Sequence, residues 1–237
     1  MLFISPPFGN YIKLPNSISI TGSFTLEPRE GLLKQIIKTL RYSKEHGGWV
    51  NKIGLRNKGI DWALKNIEKE DIISIAILHP GDIEKLCQKI PENRSIEINV
   101  SCPNVDKQLI NKGLGSFTNK NRKWCILKLS PNICEDQIDQ YYKQGFRQFH
   151  CSNTIPVKEG GLSGKALMPF TKEKINIIKT KYKDSQVIAG GGVRSLYDAN
   201  MYKREGADHI SVSSLFFNPF NSCFFYLNYM FFTPLNI

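Results

Sequence analysis

Cys102 stands between Ser101 and Pro103 in the stretch Ile96-Glu97-Ile98-Asn99-Val100-Ser101-Cys102-Pro103-Asn104. Its first half alternates β-branched residues and reads as a buried strand. Pro103 cannot donate a ladder hydrogen bond, so that strand has to stop near Cys102. A thiol at the carboxyl end of a strand can act as a general base or acid once its pKa falls toward neutrality. Asn99 and Asn104 flank it, and a side-chain amide carries both a donor and an acceptor. Lys128 ends the apolar run Cys125-Ile126-Leu127, either as a solvated lysine or as one turned to an anionic ligand. Gly190-Gly191-Gly192-Val193 follows a predicted strand and opens toward a capped helix. That arrangement exposes backbone N–H groups to a phosphate. Ser213 and Ser214, after the next predicted strand, add hydroxyl donors. Cys87, Cys125 and Cys134 read as buried core residues.

The elements that must position these groups alternate in kind. Strands are predicted over 2–5, 18–25, 49–54, 72–78, 96–102, 124–129, 148–151, 187–189 and 209–212. Helices are predicted over 31–44, 59–69, 82–90, 135–143, 171–183 and 195–205. In the first helix Leu32, Leu33, Ile36, Ile37 and Leu40 form the apolar face. Asp82 is the expected N-cap of the third, and Ser195 with Asp198 has capping-box spacing. Repeated strand–helix alternation implies a parallel sheet, and its count fits a closed (β/α)8 TIM barrel better than a doubly wound sheet. No G-x-G-x-x-G follows the first strand. The N-terminal βα unit is expected to be reduced, because Pro6-Pro7 and Phe8-Gly9-Asn10 leave too few residues for a first helix.

The chain of 237 residues suits one large α/β domain, with residues 1–215 as the barrel and 216–237 as an uncharged, Phe-rich C-terminal segment. That segment either packs on the barrel or is a tail that touches a membrane; its asparagines and prolines interrupt it as a span. A formal net charge of +11 fits anionic ligands, or a drift of composition toward Lys, Asn and Ile. The lysines are scattered, so nucleic acid is not the expected partner. The six cysteines have irregular spacing without C-x-x-C, which argues against a metal site and for a reducing, cytoplasmic setting.

Asn-Val-Ser-Cys-Pro-Asn (99–104) resembles the signature of the dihydroorotate dehydrogenases, FMN-containing (β/α)8 barrels. The similarity extends to Gly22-Ser23-Phe24-Thr25 with Pro28-Arg29-Glu30-Gly31, and to Val50-Asn51-Lys52-Ile53-Gly54. It continues in order through Leu127-Lys128-Leu129-Ser130-Pro131, Ser152-Asn153-Thr154, Gly160-Gly161-Leu162-Ser163-Gly164 and Gly191-Gly192-Val193. It spans about residues 18–215, as a shortened member of the family.

The resemblance implies an FMN-dependent oxidoreductase acting on the CH–CH bond of dihydroorotate in pyrimidine synthesis. Cys102 would be the base, as in the soluble class 1 enzymes. Asn51, Asn99, Asn104, Asn153 and Thr154 would bind the substrate, and Ser23, Lys128 and Ser152 the flavin. Ser163, Gly164, Gly191, Gly192, Ser213 and Ser214 would surround its phosphate. Gly-Ser-Phe-Thr and Gly-Gly-Leu-Ser-Gly look more like the quinone-linked class, which leaves the electron acceptor and a homodimer open. The family's lysine-bearing A-x-G-x-x-K-like first segment has Phe3 to Asn10 as its counterpart, which holds no lysine. Two other readings are a tRNA-dihydrouridine synthase-like flavoenzyme and an inactive barrel that binds FMN or phosphate.

Overall fold

Eight parallel strands close on themselves in this computed structural model, which describes residues 1–100 and 113–232. They are β1 (Leu2–Ile4), β2 (Ser17–Phe24), β5 (Ile72–Ala76), β6 (Ile96–Asn99), β7 (Cys125–Lys128), β8 (Gln148–Cys151), β11 (Gln186–Ala189) and β12 (His209–Val212). β1 seals the barrel, with Phe3 in register with Ser211 on one side and Ile18 on the other. A separate four-stranded antiparallel sheet holds β3 (Arg41–Ser43), β4 (Gly48–Asn51), β9 (Ile155–Val157) and β10 (Gly160–Gly164). The expected (β/α)8 barrel is therefore present.

Seven α-helices lie among the described residues: α1 (Leu32–Thr39), α2 (Ile60–Asn66), α3 (Asp82–Lys89), α4 (Glu135–Lys143), α5 (Met168–Lys181), α6 (Leu196–Arg204) and α7 (Pro219–Phe232). Between β1 and β2 the chain makes only a 3-10 turn at Phe8–Asn10, and Phe8, Ile12 and Leu14 pack where a helix would otherwise lie. The first βα unit is reduced, as the proline-rich run implies.

Period-two alternation sorts the strand side chains into two cores. Ile4, Ile75, Ile98, Leu127, Phe149 and Val212 face outward and join the helices in one large cluster. Phe3, Ile20, Ile72, Trp124, Ile126 and Ile188 face inward and plug the amino-terminal half of the barrel. One step further along the strands the interior turns polar, with Ser74, Glu97, Lys128, His150 and Ser211 all buried.

Several expected boundaries shift. The first helix stops at Thr39, because Arg41–Ser43 leaves to pair with Gly48–Val50. Leu33 and Ile37, expected inward, are exposed, since the short helix lies against the small sheet rather than the barrel. The strand expected at 49–54 ends at Asn51 and belongs to that small sheet. Gly81, not Asp82, occupies the cap position of α3, and the Asp82 carboxylate accepts from the N–H groups of Leu78 and His79 instead. Cys134 is exposed at the N-cap of α4, and Cys87 is only half-buried. The Ser195–Asp198 pairing caps α6 as expected, with Asp198 N–H donating to Ser195 Oγ at 3.3 Å.

The last helix, α7, buries Phe225 and Tyr229 against the outer core and leaves Phe220, Phe224 and Phe231 exposed. Tyr229 Oη donates to the carbonyls of Pro15 and Asn16, both at 3.0 Å, fastening the helix to the segment that enters β2. No described helix is long and apolar enough to cross a membrane.

Candidate active site

The carboxyl ends of parallel barrel strands converge on one mouth, where a fold of this kind places its chemistry. Glu97 lies just beneath that mouth and is fully buried. Its strand alternates Ile96-Glu97-Ile98-Asn99, so packing of the isoleucines outward turns Glu97 and Asn99 inward. His150 Nδ1 approaches Glu97 Oε2 at 2.6 Å, Ser74 Oγ donates to Oε1 at 2.9 Å, and Lys128 Nζ stands 3.5 Å from Oε1. Burial alone would raise the Glu97 pKa, but the charge of Lys128 and the contacts from His150 and Ser74 outweigh it and bring it down to about 2. Burial pushes His150 the other way for a base, downward, against the pull of Glu97. An ionised carboxylate can only accept, so His150 Nδ1–H donates to Glu97.

Above this layer the amides of the mouth form a row. Asn99 Nδ2 donates to Ser23 Oγ at 3.2 Å, and Asn153 Nδ2 donates to Asn99 Oδ1 at 2.9 Å. Asn153 Oδ1 accepts from the Thr154 N–H at 2.8 Å. Ser23 and Ser74 hydroxyls lie 3.0 Å apart, joining the row to the charged layer. Of the residues picked from the sequence, Ser23, Asn99, Lys128, Asn153 and Thr154 are thus brought together. Lys128 is in register with Asn99 on the adjacent strand and is a nearly buried partner of Glu97 rather than a solvated lysine.

Ser152 and four of the phosphate candidates, Gly191, Gly192, Ser213 and Ser214, lie at or after the ends of the next strands. Ser152 Oγ lies 3.1 Å from Thr171 Oγ1, which donates to the Gly190 carbonyl at 2.8 Å. Gly191 and Gly192 have φ of +86° and +78°, and a Cβ there would meet Leu167 at 2.8 Å or Met168 at 2.6 Å. Only glycine can form this turn. Ser213 spends its hydroxyl hydrogen on the Pro6 carbonyl at 2.8 Å, and Ser214 opens the following 3-10 turn. A cleft of about 570 Å³ beside the turn is lined by Lys165, Met168, Arg194 and Tyr197; its walls do not include Asn99 or Asn153.

Asn51, Ser163 and Gly164 come from the small sheet, where Asn51 pairs with Gly161, Ser163 with Trp49, and Gly164 with Gly48. Trp49 stacks on Phe217 with centroids 4.4 Å apart, and Phe217 meets Phe8 at 4.8 Å. This aromatic bridge ties the small sheet to the loops after β1 and β12. Cys102 and Asn104, the expected base and one expected substrate ligand, lie outside the described residues.

Glu97, His150 and Ser74 were not picked from the sequence as site residues. For Glu97 the signal was there in the alternation, because it shares a strand face with Asn99.

Fold and mouth together define a (β/α)8 enzyme-type barrel with an amide-rich, cation-bearing site. A family model described as dihydroorotate dehydrogenase matches residues 8–155, and the chain belongs to that family. The catalytic subunit of dihydroorotate dehydrogenase B (NAD(+)) from Thermotoga maritima is 28% identical over 257 residues, covering 92% of this chain and 93% of that one. The corresponding subunit of Petrotoga mobilis is 29% identical over 239 residues, covering 86% and 77%. A crystal structure of DHODH from Eimeria tenella with ferulenol shares the fold, with a TM-score of 0.64 at 18% identity over 89% of this chain and 72% of that one.

Proposed function

We propose that this protein is an FMN-dependent dihydroorotate dehydrogenase that oxidises dihydroorotate to orotate in pyrimidine synthesis. The observation that carries the reading is the row Ser23–Asn99–Asn153, set beside Lys128 at the barrel mouth. Planar amides with fixed donors suit the carboxylate and ring carbonyls of a pyrimidine acid.

The residues present fit FMN. The turn at Gly191 and Gly192 admits no side chain, so it offers bare backbone to a phosphate, with Lys165 and Arg194 lining the adjacent cleft. In this reading Ser163, Gly164, Gly191, Gly192, Ser213 and Ser214 hold the phosphate, while Ser23, Lys128 and Ser152 contact the ring system. The bound flavin supplies the hydride acceptor. The chain does the rest. Asn51, Asn99, Asn104, Asn153 and Thr154 hold the substrate, and Cys102 takes the C5 proton as C6 gives up hydride. Lys128, anchored by Glu97, holds its amino group just beneath the mouth.

Reconstitution with FMN followed by anaerobic addition of dihydroorotate tests this directly. Flavin absorbance should appear on the purified protein and bleach when the substrate is added. Cys102→Ser should keep the flavin and slow bleaching by about 100-fold or more. A protein that takes up no FMN overturns the flavoenzyme reading. Bound flavin that dihydroorotate leaves oxidised overturns the substrate.

A further inference from the structure

We infer that Glu97 acts as a positioning residue: through Ser74 and Ser23 it fixes which way the Asn99 amide faces, matching the direction that the Thr154 N–H imposes on Asn153, and so makes the mouth a donor site for an anionic planar ligand. The inference rests on the pyrimidine-acid reading only for the identity of that ligand.

Hydrogen-bond inventory carries it. An ionised carboxylate only accepts. Ser74 has one hydroxyl hydrogen and gives it to Glu97 Oε1 at 2.9 Å. The 3.0 Å contact between Ser74 and Ser23 must then be donated by Ser23. With its own hydrogen committed, Ser23 can only accept from Asn99, so the Asn99 atom 3.2 Å away has to be the amide nitrogen. That leaves Asn99 Oδ1 facing Asn153, whose nearer atom at 2.9 Å must in turn be nitrogen. Asn153 Oδ1 is taken by the Thr154 N–H. What Asn153 can offer a ligand is therefore an N–H. Every bond in the row runs one way, from Asn153 down to a single buried carboxylate.

His150 makes the direction robust. Its Nδ1–H needs an acceptor 2.6 Å away, and Glu97 Oε2 is that acceptor. If position 97 carried an amide, the carbonyl oxygen would be held by His150 and the NH2 would face Ser74. Ser74 would then accept from residue 97 and donate to Ser23, and Ser23 would donate to Asn99, driving the Asn99 amide to turn over. Asn153 could not follow, because the Thr154 N–H still holds its Oδ1. Two NH2 groups would then face each other at the Asn99–Asn153 contact, and the row would break there.

The test uses the full chain. In the ligand-free protein, the side-chain amide protons of Asn99 and Asn153 should give dispersed, slowly exchanging NMR signals. Glu97→Gln should shift them, and Ser74→Ala, which breaks the row and leaves Glu97 its His150 and Lys128 partners, should broaden or lose them while the protein stays folded by circular dichroism. Both variants, loaded with FMN, should bind orotate about tenfold or more weakly than the parent, read from the flavin difference spectrum. Asparagine signals unchanged in both variants overturn the positioning role, whatever happens to orotate. Parent protein that binds FMN but not orotate overturns the substrate reading, while the amide signals still decide the role of Glu97.

Discussion

At the scale of single residues, the site depends on a buried charge whose partners were chosen by strand register. Removing His150 as His150→Phe would leave Glu97 with one hydrogen-bond donor fewer in a dry interior. Leaving a buried acceptor without one of its donors costs about 1–3 kcal/mol, so the urea midpoint should fall accordingly with little change in slope. Gly22→Ala should also destabilise: φ there is +110°, and the new Cβ would sit 2.6 Å from the Ser74 carbonyl oxygen. A lower melting temperature together with weaker orotate binding is the expected result, because the displaced strand carries Ser74. Asn99, Asn153, Ser23 and Lys128 were legible in the sequence because each lies in a short motif in or just after a predicted strand that resembles the family's. Glu97 was passed over because a single charge inside Ile96-Glu97-Ile98 reads as an apolar run until the inward face is known. The company of Lys128 could not be read at all, since its partners lie on other strands.

At the scale of elements, the barrel strands were legible, and of the small sheet only β4 was, as the strand expected at 49–54. β1, β2, β6 and β12 have short β-branched runs with turn residues after them, a local signal that survives tertiary context. Arg41–Ser43 carries no such signal; it becomes a strand only because Gly48–Val50 returns beside it. The same pairing ends α1 early and exposes Leu33 and Ile37. The aromatic composition of α7 gave no period to read, yet its two faces differ sharply. Phe225 is 1% exposed and Phe224 is 67% exposed. Phe225→Ala should therefore cost about 3–5 kcal/mol, measured by urea unfolding, while Phe224→Ser should stay within about 0.5 kcal/mol.

For the whole molecule, acid sensitivity begins with histidines rather than with the buried carboxylate. Burial holds His150 below its ordinary range and brings His209 down to about 4. The folded state thus refuses protons that the unfolded chain accepts below about pH 6.5. Stability should decline as pH falls from about 6.5, with the His209 share of the decline ending near pH 4. Glu97, its pKa held at about 2, adds stability that is full above the ordinary carboxylate pKa and is lost as pH falls from there to about 2. Melting curves of His209→Gln should be flatter than the parent's between pH 6.5 and 4. Closure of the barrel has a consequence of another sort. β1 gains its second neighbour only when residues 209–212 arrive, some two hundred positions later in the chain. During synthesis the sheet must wait with two open edges, β1 and whichever strand has just been laid down. Assembly of this protein is therefore a race between completing the chain and pairing with the wrong strand.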